Sequence, residues 1–199
     1  MDMNDLKRVN SLWEKIYPHL ALQIIENYQR DFGMVLELGP FSGGISMALA
    51  RLYPKLNITI ADESPEVLKY LRQEISRSGL SKKIFVSKTN LNQLAFDSAQ
   101  FDLAIFRGAF FFLHNEKYLL QEIFRVLKDG GIAFIGGGFG KDTPQVLIDE
   151  IADESRVLND RLGRYRVSVL EFEEMVRKAG LLEHCTIEER GGLWLNIKK

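Results

Sequence analysis

Cysteine is almost absent from this chain: Cys185 stands alone among 199 residues. One thiol cannot build an internal disulfide framework or most structural zinc sites. Charge of either sign is not in excess, because 26 Lys and Arg residues face 27 Asp and Glu for a formal net charge of -1. That balance leaves no electrostatic footprint for nucleic acid. No apolar run approaches the roughly 20 residues a membrane span needs. The opening MDMNDLKRVN is too polar and charged for a signal peptide. Internal repeats, low-complexity tracts and linkers are missing too. What is plentiful is apolar, 46% of residues, enough for a sizeable core. The expectation is one domain over 1–199, in the cytoplasm, without a membrane partner.

Strand-like and helix-like segments alternate. Residues 4–16 and 18–31 read as helices. Val35–Leu38 is a short apolar run fit for a buried strand, and 43–52 follows as a helix with Ser42 as its N-cap. Residues 56–62 are β-branched and strand-like. Ser64 caps a helix to Arg77 that Gly79 ends, with Pro65 at the first helical position. Strands follow at 83–88, 101–106 and 130–138, with a helix from Asn115 to Leu127 before the last. Helices are expected over 142–155 and 168–179, and 88–100 and 156–167 read as irregular. Two final strands flank Gly191-Gly192, a hairpin signal. This alternation predicts an α/β doubly wound, Rossmann-like sheet of seven strands, mostly parallel, with an antiparallel C-terminal hairpin strand. Residues 1–32 would form a helical cap, 33–138 a cofactor-binding core, and 139–199 the remaining helices and hairpin. In such a sheet the ligand lies outside the carboxyl ends of the strands.

Four strand ends carry suggestive residues. The first is followed by Glu37-Leu38-Gly39-Pro40-Phe41-Ser42-Gly43-Gly44, the second ends at Asp62, the third precedes Asn90, and the fourth runs into Arg107-Gly108-Ala109. Asp62 is placed to accept hydrogen bonds from a ribose diol. Asn90 offers a donor and an acceptor, useful at an adenine edge or simply in a turn. A nicotinamide site would need G-x-G-x-x-G, and here Phe41 stands at its second glycine, where it would obstruct a pyrophosphate. A ligand without phosphates tolerates this loop better.

Taken together these segments resemble the class I S-adenosylmethionine-dependent methyltransferases over nearly the whole chain. The E-x-G-x-x-x-G loop is similar to the family's first motif and ADESPEVL to its second. TNLNQLAF resembles the Asp-Ala-x-x-Leu-Pro-Phe segment with Asn90 in place of aspartate, and RVLKDGG is typical of members acting on small molecules. More narrowly, RGAFFFL, GGGFG and GGLWLNIKK resemble a group of uncharacterised archaeal and bacterial members. The resemblance implies S-adenosylmethionine as cofactor, with S-adenosylhomocysteine as product. It assigns the cofactor to Glu37, Gly39, Pro40, Phe41, Gly43, Asp62, Glu63, Ser64, Asn90, Leu91, Arg107 and Gly108. Two departures stand out. The middle glycine is Phe41, an aromatic also found in some relatives of the catechol type, and Glu63 stands where an apolar residue often covers the adenine.

The resemblance further implies direct in-line methyl transfer to a small-molecule acceptor. Such transfer depends largely on holding the reactants in geometry and does not require a catalytic motif. The Asn/Asp-Pro-Pro-aromatic signature of base or glutamine methylation is missing after the fourth strand. A metal-dependent carboxylate set is not recognisable, so no metal is expected. Candidates around the acceptor are Tyr17, His19, Arg107, Phe110, Phe111, His114, Phe139 and Trp194. Tyr17, His114 and Arg107 are the candidates for catalysis: Tyr17 on a lid helix, His114 as a base, Arg107 to hold a carboxylate of cofactor or acceptor. Each has a plainer reading, in which His114 is a loop residue, Arg107 a surface ion pair, and Phe110–Phe112 core. Cys185 reads as core, and Gly136–Gly138 as a place of close backbone approach or a bend. The alternatives are a methyltransferase-like protein that binds cofactor or a partner without chemistry, and a protein or RNA methyltransferase.

Overall fold

The structure is a computed structural model that describes residues 2–108 and 117–199. Its centre is a seven-stranded sheet. β1 is Phe32–Leu38, β2 Lys55–Asp62, β3 Ile84–Lys88, β4 Phe101–Arg107, β5 Leu127–Gly138, β6 Cys185–Glu188 and β7 Gly192–Lys198. The order across the sheet is β3-β2-β1-β4-β5-β7-β6. β1 to β5 run parallel, and β7 pairs antiparallel with both β5 and β6. This is the doubly wound arrangement with its reversed strand.

The strand order turns around between β1 and β4, and their register sets Glu37 beside Ile105. Gly39 therefore leaves the sheet level with Arg107. Ligands of open α/β sheets bind at such a turning point. Both strands are buried there, Val35–Leu38 on one side and Leu103–Arg107 on the other. Apart from Glu37 and Arg107 these stretches are apolar, as two covered sheet faces require.

Among the described residues seven α-helices flank the sheet: α1 Met3–Leu12, α2 Tyr17–Tyr28, α3 Gly44–Leu52, α4 Pro65–Arg77, α5 Lys117–Val126, α6 Gln145–Arg161 and α7 Val169–Ala179. α2 packs on α3, α5 on α7, and α1 on α6. Arg8–Glu154, Lys15–Glu150 and Arg161–Asp5 ion pairs line the rim of the α1–α6 contact. Ser64 caps α4 ahead of Pro65, and Ser168 forms a reciprocal capping box with Glu171 at α7.

Three readings of the sequence need correction. Ser42 does not cap α3; Gly43 holds the N-cap position at φ 104 with no side-chain cap of its own. The stretch 156–167 is not wholly irregular, because α6 continues to Arg161. Cys185 packs against the core but is only half-buried, since β6 is the sheet edge. The helix start expected at Asn115 lies outside the described residues. Among those residues, no helix is long and apolar enough to cross a membrane.

Candidate functional site

The loop after β1 is held by a carboxylate from inside the sheet. Glu37 is buried, and its Oε2 accepts the Gly43 N–H at 3.0 Å, the Ser46 N–H at 3.1 Å and the Ser46 hydroxyl at 2.5 Å. A side chain six residues upstream of Gly43 thus satisfies two of the amides at the α3 N-terminus, groups that otherwise invite an external anion. Burial pushes the Glu37 carboxyl above its ordinary value, against those three donors. Its other oxygen, Oε1, is buried without a partner, as is the Ser42 hydroxyl. The turn closes through Ser42 N–H to the Gly39 carbonyl at 3.1 Å, and Gly39 adopts φ 91, a value that favours glycine. Pro40 is half-buried within this turn.

Asp62 ends β2, buried, with Oδ1 accepting the Ser64 N–H at 2.7 Å. Burial is the first cause of its raised pKa, about 6, with the Glu63 charge adding to it and backbone donors opposing it. Glu63 is exposed, and its Oε1 accepts the Leu91 N–H at 2.6 Å, tying the loops after β2 and β3 together. Asn90 is exposed, and its Oδ1 is taken by the Asn92 N–H at 2.8 Å. That is a turn role and leaves its amide N–H groups available. Arg125 of α5 pins the same loop from below through the carbonyls of Leu94 and Phe96.

Arg107 ends β4 and is buried, not a surface ion pair. Its guanidinium lies over Trp13, 3.7 Å from the ring centroid, and 5.7 Å from the Tyr17 ring centroid. Burial lowers its pKa, while Tyr17 and Glu37 act to raise it; the guanidinium stays charged. Tyr17 is also buried, with its ring on Gly44 and its hydroxyl donating to Asn10 at 3.1 Å. Burial raises the Tyr17 pKa above the ordinary phenol value, against the lowering effect of Arg107. Gly108 has φ +74 and faces Phe41, which is buried.

A cavity of about 440 Å³ opens beyond these strand ends. Trp13, Phe41, Arg107, Gly108 and Phe139 line it from the sheet side, and α6 with the segment after it forms the far wall. The Trp13 and Phe139 rings stack at 4.7 Å with 4° between planes, and the Trp13 indole N–H donates to Ser155 at 2.8 Å. A second cavity, about 560 Å³, runs between α1, α3 and α4. It touches the loop at Ser42, Gly43 and Gly44 but reaches no other strand end.

The methyltransferase-domain family matches residues 35–131, the stretch that carries this geometry from β1 into β5. The chain is 30% identical over 132 residues to the ubiquinone/menaquinone biosynthesis C-methyltransferase UbiE of Wigglesworthia glossinidia brevipalpis, covering 65% of this chain and 50% of that protein. It is 27% identical over 179 residues to the malonyl-[acyl-carrier protein] O-methyltransferase of Bacillus cereus, covering 88% and 62%. The chain thus spans little more than half the length of those two relatives. A solved structure from Methanococcus maripaludis, assigned to the S-adenosyl-L-methionine-dependent methyltransferases, superposes with a TM-score of 0.83 at 25% identity, covering 98% of this chain and 91% of that one.

The chain carries a methyltransferase domain and the fold of the class I S-adenosylmethionine-dependent methyltransferases.

Within this fold the expected residues fall into groups. Glu37, Gly39, Pro40, Phe41 and Gly43 form one loop; Asp62, Glu63, Ser64, Asn90 and Leu91 form a second cluster at the ends of β2 and β3; Arg107 and Gly108 close the row at β4. Of the acceptor candidates, Arg107 and Phe139 line the 440 Å³ cavity. His19 is half-buried on α2 and lines neither of the two cavities. Trp194 is removed from the set: it is fully buried and stacks on Phe134 at 4.5 Å, because both faces of β7 are covered. Phe110, Phe111, Phe112 and His114 lie outside the described residues, as does Ala109. Burial pushes the Cys185 thiol up to about 11, the reverse of what a nucleophile needs. The close approach at Gly136–Gly138 is to the protein's own β7: a Cβ on Gly136 would stand 2.1 Å from the Leu193 carbonyl oxygen.

Several neighbours of the site were not read from the sequence. Trp13, Asn10, Ser46 and Ser155 act through tertiary contacts with no local signature. Arg164 and Arg166 sit in RLGRYRV, where the closely spaced arginines were a usable signal.

Proposed function

We propose that this methyltransferase moves a methyl group from S-adenosylmethionine to a small-molecule acceptor by direct in-line transfer. The cofactor supplies a methyl group on a positively charged sulfur, activated for displacement by a nucleophile. The observation that carries the reading is the 440 Å³ cavity at the sheet's turning point, with Phe41, Arg107 and Gly108 in its wall. Those residues belong to the β1 and β4 strand ends, so an acceptor in the cavity would adjoin a cofactor on the loops.

Two features of the chain suit that cofactor. Asp62 is a desolvated carboxylate that gains from donors such as ribose hydroxyls. The buried, unpartnered Oε1 of Glu37 can take a hydrogen bond relayed from an ammonium. A phosphate is poorly served, because the Glu37 carboxylate lies at the α3 N-terminus and already takes the Gly43 and Ser46 amides. In this reading Gly39, Pro40 and Gly43 meet the amino-acid part with backbone, and Asp62 takes the ribose. Asn90 and Leu91 border the adenine, and Glu63 and Ser64 hold the loop geometry around it. Tyr17 roofs the loop and excludes water, and Phe41 divides cofactor from acceptor. Holding the two reactants in line supplies much of the rate.

The test is incubation of the protein with isotope-labelled methyl donor and a cell extract split by size. Label is expected in the small-molecule fraction. Label confined to protein or RNA would reassign the acceptor. Binding of S-adenosylhomocysteine with no transfer to any fraction would leave a binding protein without chemistry.

A further inference from the structure

We propose that the methyl acceptor is an organic anion with an apolar body, its charged group held by arginines of the 440 Å³ cavity. This rests on the methyl-transfer reading above. Four arginines line the cavity, Arg107, Arg156, Arg164 and Arg166, and among the described residues no aspartate or glutamate does. In a chain of net charge -1 this is a local concentration of one sign. Two of the four carry an outside partner: Arg156 pairs with Asp153 at 2.6 Å and Arg164 with Asp160 at 2.8 Å, both on α6. Arg107 and Arg166 have no ion pair among the described residues.

The inner arginines are underused. Arg107 is buried, and its Nε has no partner; the Nε of Arg164 is also buried and unpartnered. A buried cation without a counter-charge is costly, and its planar fork of N–H groups is built for a carboxylate or phosphate. The Trp13 face and the Tyr17 hydroxyl offset part of that cost but leave the Nε–H unpartnered. Glu37 contributes its field but forms no ion pair with Arg107, and its bonded oxygen is committed to the loop. A single anion at Arg107, such as the cofactor's own carboxylate, would leave Arg164 and Arg166 on the far wall unexplained. Apart from Ser155 and Asn159 the remaining side chains of the lining are apolar, with Val9, Val167 and the Trp13–Phe139 stack, which suits a flat or aliphatic body.

The test is calorimetry on matched probes with S-adenosylhomocysteine present: 2-naphthoate against 2-naphthamide, octanoate against octanamide, and phenyl phosphate to separate a phosphate from a carboxylate source. At least one anion should bind about tenfold or more tighter than its neutral match, with the preference shrinking as salt rises. Arg164→Gln and Arg166→Gln together should abolish the preference while leaving S-adenosylhomocysteine affinity unchanged, which also reports that the variant is folded. Equal binding of acids and amides, binding of none, or a preference that survives in the double variant would overturn the proposal. If the native protein prefers the anions yet does not bind S-adenosylhomocysteine, the anion site stands and the methyl-transfer reading falls.

Discussion

The guanidinium of Arg107 lies over Trp13, 3.7 Å from its ring centroid, and the same indole donates its N–H to Ser155 of α6. One side chain therefore joins the β4 strand end to the helix that walls the cavity. Trp13→Phe keeps a face for the guanidinium but loses the donor, so stability should fall by about 1 kcal/mol. Trp13→Ala also removes the stack with Phe139 and should cost about 3–5 kcal/mol. Urea unfolding of the two variants separates the contributions.

Glu37 fastens the loop by accepting from Gly43 and Ser46. Glu37→Ala strands two buried amides and a hydroxyl, and should destabilise by about 2–5 kcal/mol. Glu37→Gln retains one acceptor oxygen and removes a buried charge, so its loss should stay within about 1 kcal/mol. Equal losses in the two variants, measured by urea unfolding, would show that the hydrogen bonds are not what holds the loop.

The Tyr17 ring occupies the space a Cβ on Gly44 would need, 2.1 Å from Cε2. Gly44→Ala should therefore destabilise by about 1–3 kcal/mol through overpacking. In the background of Tyr17→Ala the same change should cost almost nothing. A double-mutant cycle on thermal or urea unfolding reads this coupling, and strict additivity would mean that Tyr17 does not rest on the loop.

Burial lifts Asp62 from 3.8 to about 6 in the unliganded fold. The folded carboxyl holds its proton more tightly than the unfolded one. Its contribution to stability is therefore fully present below 3.8 and is lost as pH rises through about 6. Asp62→Asn should flatten that part of the profile, seen as a difference between the two melting-temperature curves against pH. Parallel curves would mean the carboxylate is solvated.

Sheet order and strand ends were legible because apolar runs such as Val35–Leu38 and Phe101–Phe106 are bounded by glycine and polar residues, and because Gly191-Gly192 marks the hairpin. What escaped was non-local. The α3 amides are satisfied from β1 by Glu37, so the adjacent Ser42 looked like the cap. GGGFG and GGLWLNIKK turned out to be two halves of one contact. A Cβ on Gly191 would lie 2.3 Å from the Gly140 carbonyl carbon, and Gly140 N–H donates to the Gly191 carbonyl at 2.9 Å. Trp194 could not be placed from alternation, because alternation reveals only a sheet with one exposed face. Arg164 and Arg166 stand out in the sequence as closely spaced arginines, but the path of the chain after α6 that brings them to the cavity has no local signature.

The most direct measurement is calorimetric titration of S-adenosylhomocysteine into the native protein and into Asp62→Ala. The native chain should bind one equivalent, and the variant should lose about 1.5–3 kcal/mol of binding free energy, the range for hydrogen bonds to a charged group. No binding to the native protein, or equal affinity in the two, would contradict the cofactor site at the ends of β1, β2 and β4.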